Sequence, residues 1–260
     1  MGDAPEHDVP MLAHLTRLHA VDHRQHRFPG GGPDDVKAWA ECARPALRQL
    51  IGLDRMAEEF AGFTPTVDLG DSEDLGRYTR QRGVLHAEPA FDVPFWYLRP
   101  SGPGPHPLGL FPHGHSHHGM DWHVGIAATD EIRRKIEAED RDVAVQAVEH
   151  GFAAIAPATR GFEPIALPDP TERHGGRTCR TQLIHALLAG HTVIGQRVWD
   201  LLRLIDWAVG RPEIDDGRIL MMGNSGGGMS TLYAAACDPR ISIAVASCSF
   251  CTFVSRDGQV

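Results

Sequence analysis

The chain reads as an α/β protein, with a mainly parallel sheet flanked by helices on both faces and an N-terminal helical extension in front of it. Three observations predict this. From about residue 108 onward, short apolar runs alternate with amphipathic helical stretches, which is how strands joined by crossover helices are written. Ahead of that region, RGVLHAE and VPFWYLRP read as two strands joined by a short turn around Glu88 to Ala90. Residues before about Phe60 show helical spacing only. The expected organisation is a helical extension over 1–62 and an α/β core over 63–260.

The elements can be justified in order. Val36, Trp39, Ala40, Ala43, Leu47, Leu50 and Ile51 fall at helical spacing, and Pro33-Asp34-Asp35 is a plausible start. FPGGGPDD breaks this helix from a preceding one. After the strand pair, the Gly/Pro loop SGPGPHP leads into the apolar run LGLF, which ends at His113-Gly114. DVAVQAVEH is an amphipathic helix closed by Gly151, and FAAIAPA is a short buried strand. Thr159 to Thr181 reads as a long Pro/Gly/polar loop, with the length of a lid. Ile194, Val198, Leu201, Ile205 and Ala208 make one apolar helical face. RILMMG is a strand, GGMSTLYAAA a helix with Met229, Leu232, Tyr233 and Ala236 on one side, and ISIAVASCSF a last strand.

Composition narrows the function classes. The 260 residues are 42% hydrophobic and 23% charged, as in ordinary soluble globular proteins. A formal charge of −9 offers no electrostatic footprint for nucleic acid or an anionic membrane surface. No apolar run approaches the roughly 20 residues of a membrane span. The start, MGDAPEHDVP, has neither a basic nor an apolar signal region. Cys42, Cys179, Cys237, Cys248 and Cys251 are scattered and odd in number, which suggests reduced thiols and a cytoplasmic setting. Cys248 and Cys251 are expected to be buried free thiols.

The sharpest motif is RILMMGNSGGGMSTLYAAA: strand, then Gly223-x-Ser225-x-Gly227, then helix. This is a nucleophile elbow. The chain must leave a strand and enter a helix within a residue or two, which strains the serine and leaves no room for neighbouring side chains. Gly223 and Gly227 remove that bulk. Ser225 then projects above a helix N-terminus, and the Gly226 amide points to where an oxyanion would form. A trypsin-like protease can also surround its nucleophile with GNSGG, but that fold is all-β and here a helix follows directly.

A second stretch, FPHGHSHHGMDWH from Phe111 to His123, holds five histidines. Placed after a strand and opening with His113-Gly114, it fits the loop that supplies the second oxyanion amide. The His115 backbone amide is the candidate donor, with His113 anchoring the loop and Trp122 a candidate pocket wall. Two alternatives stay open. His113-x-His115-x-His117-His118 has zinc-ligand spacing, although a further His or Asp ligand would be needed. The cluster could also be a solvated loop on a non-catalytic binding module.

The segment GHTVIGQRVWDLLRLIDWAVGRPEIDDGRILMMGNSGGGMSTLYAAACDPRISIAVASCSFCTF, with the upstream APATRGF and PHGH, resembles the acetyl-xylan-esterase-like and dienelactone-hydrolase-like branch of the α/β-hydrolases. The resemblance covers roughly Tyr78 to Phe253. It implies a serine hydrolase of carboxylic esters, with Ser225 as nucleophile and the His115 and Gly226 amides as oxyanion donors. It implies no cofactor or metal; the partner is a small-molecule ester, and homo-oligomerisation is compatible with it. In such proteins the acid and the catalytic histidine follow the nucleophile in the order Ser, Asp, His. Both are therefore expected beyond Val260, with the last strands of the fold absent from this chain. On that expectation the 260-residue chain by itself is an inactive or poorly folded esterase. Asp121, His118 and His123 would break the order and are not triad candidates. Arg160, after a strand's carboxyl end, is either a substrate contact or an ion-pair partner. Arg197 and Asp200, three apart on one helix, are expected to brace structure.

Overall fold

The computed structural model describes residues 10–18, 25–116, 118–167 and 178–250. His117, Cys251 and the middle of the Thr159–Thr181 loop lie outside the described residues. The chain divides into two compact units near Ala43, the larger one covering Arg44–Ser249. Helix α1 spans Pro10–Leu18 and α2 spans Pro33–Leu50. Within the smaller unit, Phe28 packs edge-on against Trp39, whose indole N–H donates to the His26 carbonyl.

The larger unit is built on one seven-stranded sheet. In chain order its elements are α3 (Leu53–Glu59), β1 (Thr66–Asp74), β2 (Tyr78–Glu88), β3 (Phe91–Pro100), β4 (His106–Leu110), a 3₁₀ turn (Gly119–Val124), α4 (Asp130–Ala138), α5 (Val143–Glu149), β5 (Ala153–Pro157), α6 (Thr178–Leu188), α7 (Val193–Ala208), β6 (Ile214–Asn224), α8 (Gly226–Cys237) and β7 (Ile241–Ser247). The strand order is β1-β2-β3-β5-β4-β6-β7. β1, β2 and β3 pair antiparallel, β3 pairs antiparallel with β5, and β5, β4, β6 and β7 run parallel. The expected mainly parallel body behind an antiparallel pair is therefore present.

The parallel strands β4 and β5 are buried on both faces, so their sequences are largely apolar rather than alternating. In β5, Ala153 and Ile155 face one core, and Ala154 and Ala156 face the other. The first core joins Leu108, Leu110 and Met221 to Val198, Trp199, Leu202 and Ile205 of α7. The second packs Leu98 and Phe111 against Ala144 and Val148 of α5. Burying one such Leu or Ile side chain stabilises by about 1.5–3 kcal/mol.

Several elements differ from expectation. β1 is acidic and exposed along most of its length, an edge strand whose charges discourage further pairing; only Val67 and Leu69 alternate inward, partly buried against the core, too short a run to mark a strand. α4 buries only Ile136, and its start is marked by Thr129, whose hydroxyl accepts from the Ile132 N–H. α6 occupies the end of the stretch read as loop, and Leu183, Ile184, Leu187 and Leu188 along it are exposed. In α8 the buried residues include Gly227, Ser230, Thr231, Ala234 and Cys237, while Met229 is exposed. The helix approaches the sheet through its small residues, because its entry from the elbow leaves no space for large ones. Ile243 and Val245 of edge strand β7 are exposed. No helix among the described residues is long and apolar enough to cross a membrane.

Candidate active site

Sheet order brings the two sequence motifs together. β4 lies between β5 and β6, so the chain continues to one side after β4 and returns on the other. The carboxyl ends of β4 and β6 are thus adjacent at a topological switch point, where ligands of open α/β sheets collect. His113–His115 follow β4, and Ser225 follows β6.

Ser225 sits at φ 54°, ψ −119°, a left-handed region that a non-glycine residue occupies only under strain. Its backbone is held from both sides. The Ser225 N–H donates to the Ser247 carbonyl at 2.9 Å, and the Ser225 carbonyl accepts from the Met229 N–H at 2.9 Å and the Ser249 hydroxyl at 2.6 Å. Ser247 and Ser249 follow from the end of β7, and neither carries a sequence signal for this role.

The glycines around the elbow are there for lack of space. A Cβ on Gly223 would lie 2.4 Å from the Gly227 carbonyl carbon, and one on Gly227 would lie 2.0 Å from the Pro112 carbonyl oxygen. A Cβ on Gly226 would meet the Phe162 ring at 2.5 Å. Gly114 is pressed against the elbow itself: its Cβ would stand 2.8 Å from the Asn224 carbonyl oxygen, 3.1 Å from the Gly226 nitrogen and 3.1 Å from Ser225 Cβ. The start of the His-rich loop therefore abuts the Gly226 amide and the Ser225 side chain.

The histidines of that loop have separate roles. His113 is buried. Its Nε2 accepts from the Thr159 N–H at 3.0 Å, so its proton is on Nδ1, which donates to the Gly114 carbonyl at 2.8 Å. Burial pushes its pKa down to about 3. It is a neutral strut that ties the loop to the segment after β5, and it has no nitrogen left for a metal. His123 is bonded through Nδ1 to the Phe111 carbonyl, and burial lowers its pKa to about 4. The His118 ring stacks on Trp122 at 4.6 Å. His115 packs on Phe162 at 4.3 Å, with Nε2 3.1 Å from Cys179 Sγ. Among the described residues no group of three His, Cys, Asp or Glu side chains could hold a metal ion. Asp121 accepts from the Trp96 indole at 2.7 Å, away from any histidine partnership.

Trp122 is buried between His118 and the cations of Arg141 and Lys135. It lines a cavity of about 280 Å³ with Gly114, His115, Arg141, Asn224 and Ser247. A larger cavity, about 660 Å³, lies around Phe60, Phe91, Arg160, Leu167 and Gln182. Arg160 is fully engaged: it makes two 2.7 Å hydrogen bonds to Asp200, an ion pair with Glu88, and lies 3.8 Å over Phe91. Burial would lower its pKa, but the charges of Asp200 and Glu88 raise it above the usual value. Arg197 does not pair with Asp200; its Nε donates to the Arg160 carbonyl at 2.9 Å. The two helix residues thus brace the same arginine from different directions. Cys248 departs from expectation: it is exposed in a turn after β7 at φ 53°, because the chain reverses there instead of continuing as a buried strand.

The strand–Ser225–helix turn, at the carboxyl end of a central parallel strand and facing the loop after β4, decides the architecture. The chain has the α/β-hydrolase fold. Residues 135–257, slightly less than half of the chain, match the acetyl xylan esterase (AXE1) family model. A search of curated proteins finds no match. Among solved structures, the hydrolase fold is shared with a putative acetyl xylan esterase from Bacteroides fragilis at 18% identity and a TM-score of 0.69, covering 89% of this chain and 57% of that one. A methylesterase matches at 20% identity and a TM-score of 0.62, covering 94% of this chain and 46% of the other. An acetyl xylan esterase from Paenibacillus sp. R4 matches at 22% identity and a TM-score of 0.51, over 75% and 58%. The chain therefore spans about half the length of the esterases it resembles.

Proposed function

We propose that this hydrolase-fold chain carries the nucleophile and oxyanion hole of a serine esterase acting on carboxylic esters with a small acyl group, such as acetyl. The observation that carries the reading is the close approach of Gly114 to the Gly226 nitrogen and the strained Ser225, which supports a pairing of the Gly226 amide with that of the residue after Gly114. Ser225 attacks the ester carbonyl, the alcohol leaves from the tetrahedral intermediate, and water releases the acyl group from Ser225. The amides of His115 and Gly226 hold the developing oxyanion, each worth about 3–4 kcal/mol of barrier. His113 holds the first of these amides in place, because a neutral imidazole bonded at both nitrogens cannot serve as base. In the fold's chain order the general base and its acid follow the nucleophile. The acetyl xylan esterase family match supports the ester class.

The test is labelling with a fluorophosphonate, read by peptide mass mapping. The adduct is expected on Ser225 and is lost in Ser225→Ala. Labelling elsewhere, or none in a folded chain supplied with any C-terminal continuation its gene encodes, refutes the assignment.

A further inference from the structure

A thiol that the ester chemistry does not use stands beside the candidate oxyanion loop. Cys179 is partly exposed in the first turn of α6, and its Sγ lies 3.1 Å from His115 Nε2. A second, independent feature points to the same place. Arg197 is 8% exposed, and its Nη2 has no hydrogen-bond partner among the described residues. The guanidinium lies 4.2 Å over the Phe162 ring, and the His115 ring packs on that same phenyl. Burial lowers the Arg197 pKa to about 10, and Cys179, ahead of Asp200, is the first neighbour that acts against this. A buried cation with an idle N–H favours negative charge nearby; Nη2 itself lies beside Gly161, where Gln182 Oε1 is also unpartnered among the described residues. The remaining described thiols lack this setting. Cys237 is buried, with its pKa pushed up to about 11, and Cys42 and Cys248 are exposed without a bond to an imidazole.

We propose that Cys179 is a reactive thiol, a covalent modification site for soft electrophiles, and that its modification displaces His115 and loosens the loop from Phe111 to His118. His115 Nε2, 3.1 Å from the sulfur, is placed to take the thiol proton as the sulfur attacks. With an alkyl iodide, sulfur attacks the carbon, the S–C bond forms as the C–I bond breaks, iodide leaves, and the proton passes from His115 to solvent. The new substituent occupies the space on sulfur where the His115 ring now sits. Regulation of the ester site by this route rests on the assignment of the His115 amide as an oxyanion donor, but the thiol's reactivity does not.

The experiment is time-resolved alkylation of the full chain with limiting iodoacetamide at pH 7, read by peptide mass mapping. Cys179 is expected to react about tenfold or more faster than the more exposed Cys42, and His115→Gln is expected to remove most of that excess. Equal rates for all cysteines in urea show that the difference belongs to the folded state. Cys179 reacting no faster than Cys42 in the folded chain, or an excess untouched in a folded His115→Gln protein, overturns the proposal. Amide hydrogen exchange over residues 111–118 reads the second half: it rises after alkylation of the parent protein and stays unchanged in treated Cys179→Ser. Unchanged exchange in fully alkylated parent protein refutes the displacement. Neither readout uses ester hydrolysis, so failure of the esterase reading leaves both outcomes interpretable.

Discussion

Replacing Gly114 by Ala tests the oxyanion geometry with a single methyl group. Gly114 is not among the residues with positive φ, so alanine meets no conformational penalty and any effect is steric. The new Cβ would lie 2.8 Å from the Asn224 carbonyl oxygen, and ordinary contact begins near 3.4 Å. The loop must retreat by roughly 0.6 Å, since the elbow opposite is braced through Ser247, Ser249 and Met229. A His115 amide hydrogen bond of about 2.9 Å to an oxyanion stretches to about 3.5 Å, where little of it survives. Loss of one such donor costs about 10²–10³ in rate, and the overpacking itself destabilises by about 1–3 kcal/mol. The assay is the second-order rate of fluorophosphonate reaction at Ser225, or of ester turnover, with thermal unfolding measured alongside. A Gly114→Ala protein that reacts within twofold of the parent refutes the placement of this loop in the oxyanion hole.

Three further outcomes are expected. Ser225→Gly relieves backbone strain of about 1–3 kcal/mol against an entropic loss of about 0.5–1 kcal/mol, so it raises the denaturation midpoint while abolishing labelling; a lowered midpoint contradicts the strained elbow. Asp200→Ala leaves Arg160 buried with Glu88 alone and costs about 3 kcal/mol or more, measured by urea unfolding; a loss below about 1 kcal/mol means the pair is not needed. His113 and His123 are held neutral, with folded pKa values of about 3 and about 4, below the unfolded value near 6.5. The unfolded chain therefore binds more protons over this range. Stability falls as pH drops from about 6.5 toward these values, by up to about 1.4 kcal/mol per pH unit for each histidine. Urea titrations at pH 7, 5.5 and 4.5 should show this acid limb, and it should be shallower in His113→Gln.

Much of the site was legible wherever the chemistry is local in the chain. Strand, glycine, serine, glycine and helix are contiguous in RILMMGNSGGGMSTLYAAA, and the turn's steric demand is written in the residues that make it. His113-Gly114 was legible for the same reason, as the exit from an apolar strand. The ion-pair partners of Arg160 were not, since Glu88 and Asp200 are 72 and 40 residues away. Neither were Ser247 and Ser249, whose hold on the elbow depends on β7 pairing with β6. The α8 face was misleading, because hydrophobic spacing marks Met229 while close packing selects the small residues.

By itself, the sequence determined the class of fold, the order of its elements apart from β1, α4 and α6, the position of the strained serine and the loop opposite it. Tertiary structure alone decided that β4 lies beside β6, which turns two motifs about a hundred residues apart into one site. It also decided the work of the described histidines. Five imidazoles in thirteen residues look alike as a string. Burial, a Thr159 N–H and a Gly114 carbonyl make one of them a neutral strut. A thiol makes another the neighbour of Cys179. Such assignments depend on what packs around a side chain, and long-range packing is set by the sheet order that chain adjacency does not specify.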